Sequence, residues 1–314
     1  MTAYPEAAAE ALASTQQGLV SAQQLARIGF SRGSLAHRLA CGSTRAVLPG
    51  VYLLDAWLHA ERWDSLPLTT RVQAVALLHG CPAVFCLDTA ARLLGIGGVG
   101  LDDGTVHVQL PPGTERHQVP GVMVHTRLLA GDEVMELGGF RVTTPQRTVL
   151  DLVLSSDRLR AVSILDSALN GQLIASTDLT EMRRRGRGRR GAALARGWWD
   201  LADDRAQSPL ETSVRLIAVD AHMPPDDLQH PVRDAFGVLL GYGDLAWLRP
   251  GRRTLIGEAD GREPHDRPQA LYRDRHRAND FVTSGNVDVV RFTAADTRRK
   301  AYIVSQLRRL LRDP

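Results

Sequence analysis

Gly243-Asp244-Leu245-Ala246-Trp247, a Pro/Gly/Arg turn, and then Ile256-Gly257-Glu258-Ala259-Asp260-Gly261 hold the acids that decide how the carboxyl-terminal third is read. Acidic residues are depleted in strands, yet Asp244 closes the apolar run Val238-Leu239-Leu240, and Glu258 and Asp260 stand two apart in the next run. A period of two sets Glu258 and Asp260 on one face. If the two runs are neighbouring strands, three carboxylates meet at one end of a small sheet. A hard divalent cation, Mg2+ or Mn2+, is held against phosphate oxygens in this way.

The surrounding pattern, from Ser208 onward, is helix, three strands, helix, strand, helix. Ser208-Pro209-Leu210-Glu211 opens the first helix, with Leu210, Val214, Ile217 and Ala221 on one face. Gln229 to Arg233, Val238 to Trp247 and Thr254 to Asp260 read as strands, with Ala235-Phe236-Gly237 turning the first pair. A helix is expected from about Tyr272 to Ser284, a strand from Val287 to Phe292, and a last helix marked by Ile303, Leu307, Leu310 and Leu311. Glu211 is also the third-position acid of a Ser-x-x-Glu capping box, and capping is the reading favoured for it.

At 314 residues the chain is too long for one ordinary core and suggests two or three domains. The net charge is only +3, but Lys300 is the one lysine, so nearly every cation is Arg. GC-rich coding accounts for that bias, and the planar guanidinium fork suits phosphate all the same. Cys41, Cys81 and Cys86 are an odd number with no C-x-x-C pair, which argues against a disulfide framework or zinc site and for a reducing cytoplasm. The amino terminus carries Glu6 and Glu10 rather than a basic start, and no segment reaches membrane-spanning length.

Residues 1–60 read as a compact helical unit with a hairpin. An Ala-rich helix ends near Gly18; Ser21 can cap a short helix bearing Leu25 and Ile28, and Gly29 turns the chain. Ser31 caps a second helix, expected to point Leu35 and Leu39 inward and to offer Arg32, Ser34, His37 and Arg38 outward. Arg45 to Leu48, the Pro49-Gly50 turn and Val51 to Leu53 form a wing. Pattern alone leaves open a winged helix-turn-helix, whose second helix enters the major groove, or an ordinary helical hairpin with a solvated Arg/His face.

Residues 61–175 suggest a middle α/β domain. Its signals are a helix from about Thr70, a helix capped by Asp88 and stopped at Gly95, strands at Val106 to Leu110, Val122 to His125 and Phe140 to Val142, and a helix begun by Thr144 and Pro145. His107 and His125 read as strand-face residues. Residues 176–205 form an Arg-rich connector in which Arg183, Arg184, Arg185, Arg187, Arg189, Arg190 and Arg196 crowd around Gly186 and Gly188. It could neutralise DNA phosphates or be a solvated linker; Trp198 and Trp199 read as packing anchors.

Two resemblances add to this. Gly18-Leu19-Val20-Ser21-Ala22-Gln23-Gln24-Leu25 through Gly29, Pro49-Gly50-Val51-Tyr52, and the run Val142 to Asp151 resemble antitoxins of the type IV abortive-infection (AbiEi) class. Their amino-terminal domains bind DNA, so the resemblance implies double-stranded DNA as a partner, with Arg32, Ser34, His37, Arg38 and Arg45 as contacts. It also raises a cognate nucleotidyltransferase toxin as a further partner, and leaves the middle unit as scaffold or homodimer surface.

Residues 206–314 resemble the PD-(D/E)XK nuclease fold, nearest the branch of very-short-patch repair endonucleases. The marks are Ser208 to Glu211, Asp244 to Trp247, Gly257 to Arg262, His265, Asp274-Arg275 with Arg277, and Val289 to Thr293. The resemblance implies Asp244 and Glu258 as metal ligands with the Ala259 carbonyl, Asp260 as ligand or water-orienting group, Glu211 completing the site, and His265 as general acid or base. Arg262, Arg275 and Arg277 would contact phosphate. The chain departs from that family where its lysine should follow the glutamate by two, because Asp260 stands there. The expected fold class is therefore α/β (α+β multidomain): an amino-terminal winged helix-turn-helix, a middle α/β domain and a restriction-endonuclease-like αβββαβα domain. The expected function is a cytoplasmic DNA-binding protein of antitoxin or regulator type. The alternatives are an active Mg2+-dependent DNA endonuclease and a toxin-neutralising interaction module.

Overall fold

Ser21 ends a short strand and starts a helix in one step. Its hydroxyl accepts from the Gln24 amide while the Gln24 side chain accepts from the Ser21 amide, a reciprocal capping box. The computed structural model describes residues 3–54, 62–114, 118–260, 281 and 287–312. Two compact units emerge: Met1–Gly95 with Gly100–Thr148, and Ile96–Val99 with Val149–Pro314. Among the described residues, no helix is long and apolar enough to cross a membrane.

The first unit opens with α1 (Ala3–Thr15), β1 (Leu19–Ser21), α2 (Ala22–Arg27), α3 (Arg32–Ala40), β2 (Thr44–Leu48) and β3 (Val51–Leu54). The strands form an antiparallel sheet in the order β1-β3-β2, closed at Gly50, whose φ of 71° favours glycine. Next come α4 (Leu68–His79), β4 (Val84–Phe85), α5 (Leu87–Leu94), β5 (Val106–Gln109), β6 (Val122–His125), β7 (Val134–Leu137) and β8 (Phe140–Thr143). The five strands order as β6-β5-β4-β8-β7. One hydrophobic core joins the two sheets: Leu19, Leu48, Val51 and Leu53 pack with Val72 and Val75 of α4 and with Phe85, Val106, Val108 and Val142. Asp88 is not the cap expected for α5; Cys86 holds that position and Asp88 falls in the first turn, where its charge still favours the helix.

The second unit gathers α6 (Pro145–Ser155) from Val149 onward, α7 (Arg158–Asn170), α8 (Asp178–Arg185), α9 (Pro209–Asp220), β9 (Asp227–Arg233), β10 (Leu239–Trp247), β11 (Thr254–Asp260), β12 (Val287–Thr293), α10 (Ala294–Thr297) and α11 (Lys300–Arg312). The sheet runs β12-β11-β10-β9, antiparallel except for the parallel β11–β12 pair. Helix α9 is buried continuously from Glu211 to Ala218, because its Val214 and Ile217 pack with Leu245, Leu255 and Phe292 of the sheet and Ile303 of α11, while α7 covers it too. The helix expected over Tyr272 to Ser284 lies outside the described residues except for Phe281, which is buried.

The stretch read as a connector is folded. Met182, Ala195, Trp198 and Trp199 are buried, so both tryptophans anchor packing. Gly191 has a φ of 88°, and a Cβ there would lie 1.9 Å from the Leu154 carbonyl oxygen, so the chain turns tightly over the end of α6.

Candidate functional site

Helix α3 begins at Ser31, whose hydroxyl accepts from the Ser34 amide at 2.9 Å. None of its nine residues is buried. Leu39, expected to point inward, is 37% exposed, and Leu35 is only half-buried. The apolar stripe is too short, with Ala36 and Ala40 beside it, to bind the helix deeply into the core. Arg32, Ser34 and His37 face solvent. Arg38 instead reaches back to Thr44 Oγ1 at 3.3 Å and to Glu6 at 3.5 Å, bracing the helix on β2 and α1. Arg45 sits half-buried on β2, and no ion-pair partner for it or Arg32 occurs among the described residues.

The arginines of the expected connector are largely engaged. Glu181 accepts from Arg184 at 2.6 Å and from Arg185 at 3.0 Å, and these bonds hold its carboxyl down to about 2. Arg183 reaches Asp200 at 3.2 Å, and Arg189 pairs with the buried Asp151. Their charge is thus partly answered within the second unit.

In the sheet of that unit, the register Leu245 with Gly257 sets Asp244 directly across from Glu258. Asp244 lies within β10, three residues before Trp247, rather than ending it. Its Oδ2 accepts from the Ala259 amide at 2.8 Å, and Glu258 Oε1 is shielded from solvent. Gly243 leaves the room that Ile256 fills, since a Cβ would meet its Cγ2 at 2.4 Å. Glu211 is buried; Ser208 caps its amide at 3.2 Å, while its own carboxylate accepts from the Gln207 amide at 2.9 Å and from Gln229 at 3.1 Å. The capping box is therefore half made. Burial, and next the charge of Asp244, push the Glu211 carboxyl above its ordinary value.

Asp260 lies two residues beyond Glu258, opposite Thr293 of β12. Among the described residues no group of three His, Cys, Asp or Glu side chains is arranged to hold a metal ion, so the expected three-acid cluster is not assembled by Asp244, Glu258 and Asp260. Asp244 and Glu258 by themselves suit a hard cation, since like charges directly across a ladder repel and oxygen donors are its chosen ligands. His265, Arg262, Arg275 and Arg277 lie outside the described residues.

Two polar constellations escaped the sequence. Asp166 of α7, buried, accepts from Arg215 at 2.7 Å, from Thr212 at 2.7 Å and from the Asp203 amide at 2.8 Å. His107 Nδ1 and His125 Nε2 lie 3.0 Å apart on the neighbouring strands β5 and β6, with their rings stacked, and Asp88 stands 4.0 Å from His107 Nε2. Both are strand-face residues; their spacing of 18 positions hid the pairing.

Residues 83–198 match the family model of the AbiEi antitoxin C-terminal domain. The chain belongs to the same family as two proteins of Mycobacterium tuberculosis, "Uncharacterized protein Rv2248" (strain ATCC 25618 / H37Rv) and "Uncharacterized protein MT2308" (strain CDC 1551 / Oshkosh). Each is 32% identical to it over 226 residues, covering 72% of this chain and 80% of the relative.

Proposed function

We propose that the chain is a DNA-binding regulator of antitoxin type, in which the α2–α3 pair and the β2–β3 hairpin act as a winged helix-turn-helix. The carrying observation is a capped helix that buries none of its residues and turns Arg32, Ser34 and His37 to solvent beside Arg45. A helix so little used by its own core is suited to the major groove, where its polar groups reach base edges and phosphates. The AbiEi-type domain in the same chain is compatible with DNA or a toxin as partner. Gel-shift titration on duplex DNA from the chain's own upstream region tests this. Replacing Arg32 and Arg45 together by Ala should weaken binding and reduce the salt slope by about one for each phosphate left without its arginine. Unchanged affinity and slope would count against the reading.

A second reading, a Mg2+-dependent nuclease, is supported by the β12-β11-β10-β9 order with only β10 reversed, and by Asp244 facing Glu258. Asp244 and Glu258 would hold the ion, with the Ala259 carbonyl as a further oxygen. The ion would polarise a phosphate and lower the pKa of a bound water. Glu211, whose carboxyl is pushed above its ordinary value by burial and then by the charge of Asp244, would add a further oxygen to the site. Cleavage in Mg2+ or Mn2+ that vanishes in Asp244→Asn and Glu258→Gln, with binding retained, supports it; DNA left intact under both metals rejects it.

A further inference from the structure

The segment after β6 crosses to β7, which lies on the opposite edge of the five-stranded sheet, and a cleft of about 390 Å³ opens there. That volume is in the range of sites for small organic ligands. Val84, Leu129 and Met135 line it together with the prolines at 82, 111 and 112, so most of its wall is apolar. Polar groups enter at few points. Arg127 and Arg141 are exposed at the cleft, and Arg141 donates to the Cys81 carbonyl at 3.0 Å; Glu136 is the one carboxylate among the lining residues. The balance there is one positive charge in excess.

Gln109 is the unusual member. It closes β5, is 5% exposed, and lines the cleft, yet its Nε2 is buried with no hydrogen-bond partner among the described residues. Turning the amide over would only put the carbonyl oxygen in that position. A buried amide left without its hydrogen bond is costly, and a leucine, apolar and of comparable bulk, would occupy the place without that cost. A group held in this way calls for a reason, and at a cleft wall a ligand that completes its hydrogen bonds supplies one.

We infer that this cleft binds a small organic anion, a carboxylate or phosphate ester with an apolar body. The apolar body lies against the prolines, Leu129 and Met135; the anionic oxygens meet Arg127 and Arg141; and Gln109 supplies the amide that fixes orientation. Binding of this kind would give the AbiEi-type region a ligand-responsive surface, separate from DNA contact by α3.

Calorimetric titration of the full chain with hexanoate, benzoate and phenyl phosphate tests it, with hexan-1-ol as the uncharged control. Saturable binding of at least one anion is expected, at least about tenfold weaker in both Gln109→Leu and Arg127→Ala, with hexan-1-ol weaker than hexanoate. No saturable binding by any of the three anions overturns the inference, and so does equal binding by the variants. Thermal melting of Gln109→Leu gives a second readout independent of ligand choice. A melting temperature that rises supports a side chain kept for binding; one that falls shows that Gln109 is held by the fold itself and overturns the assignment.

Discussion

Glu211 and Asp166 are both buried acids joined to the same helix, and burial raises both carboxyls, but their partners differ in strength. Asp166 is answered by Arg215, Thr212 and a backbone amide, so removing Arg215 strands a carboxylate in the core. Arg215→Met should cost about 3–5 kcal/mol in denaturant unfolding, whereas an exposed pair such as Arg184 with Glu181 should cost little. Glu211 is held by weaker partners and faces the charge of Asp244. Its carboxyl is raised in the folded protein, first by burial, so the folded chain binds more protons there than the unfolded one. The stability it contributes is complete below its unfolded value and is lost as pH rises through the raised one. Denaturation midpoints measured across that window should fall with pH in the native sequence and fall less in Glu211→Gln.

At the scale of the element, α3 and the turn at Gly191 carry the sharpest expectations. Ser31→Ala removes the hydroxyl that caps α3 and should cost about 1 kcal/mol, with DNA affinity falling alongside. Arg32→Ala should leave the melting temperature unchanged, since Arg32 is exposed on the helix surface. Gly191→Ala should destabilise by more than the roughly 1 kcal/mol that an unstrained exchange would gain, because φ is positive and the new Cβ would overlap the Leu154 carbonyl. Circular dichroism melts of the three variants separate these outcomes. Most of these elements are legible from local signals. The Ser21 and Ser31 caps, Gly95 ending α5, Pro145 opening α6 and the strand at Thr254 to Asp260 all fall where the sequence points. The two-residue β4 and the short β7 have too little periodicity to show, and the cap of α5 falls at a different residue from the expected Asp88 because Cys86 carries no capping signal.

At the scale of the whole molecule, the second unit begins at Val149, well before the Arg-rich stretch, since α7 packs on α9 and the tryptophans at 198 and 199 are buried in it. A fragment of residues 149–314 should therefore melt cooperatively. One of residues 206–314 loses Asp166 and the cover of α9, and should show a broad transition or aggregate. Equal, sharp melting of both would contradict the shared core.

Local periodicity, capping residues and turn glycines set which stretches became helices and strands, because those preferences act over a few neighbouring positions. They also set Asp244 and Glu258 in successive strands. The register that faces those two acids, the burial of α9 on every side, the Asp166–Arg215 bond, the stacked His107 and His125 and the cleft at Gln109 depend on contacts between distant segments. No short-range pattern encodes these, and only tertiary packing decided them.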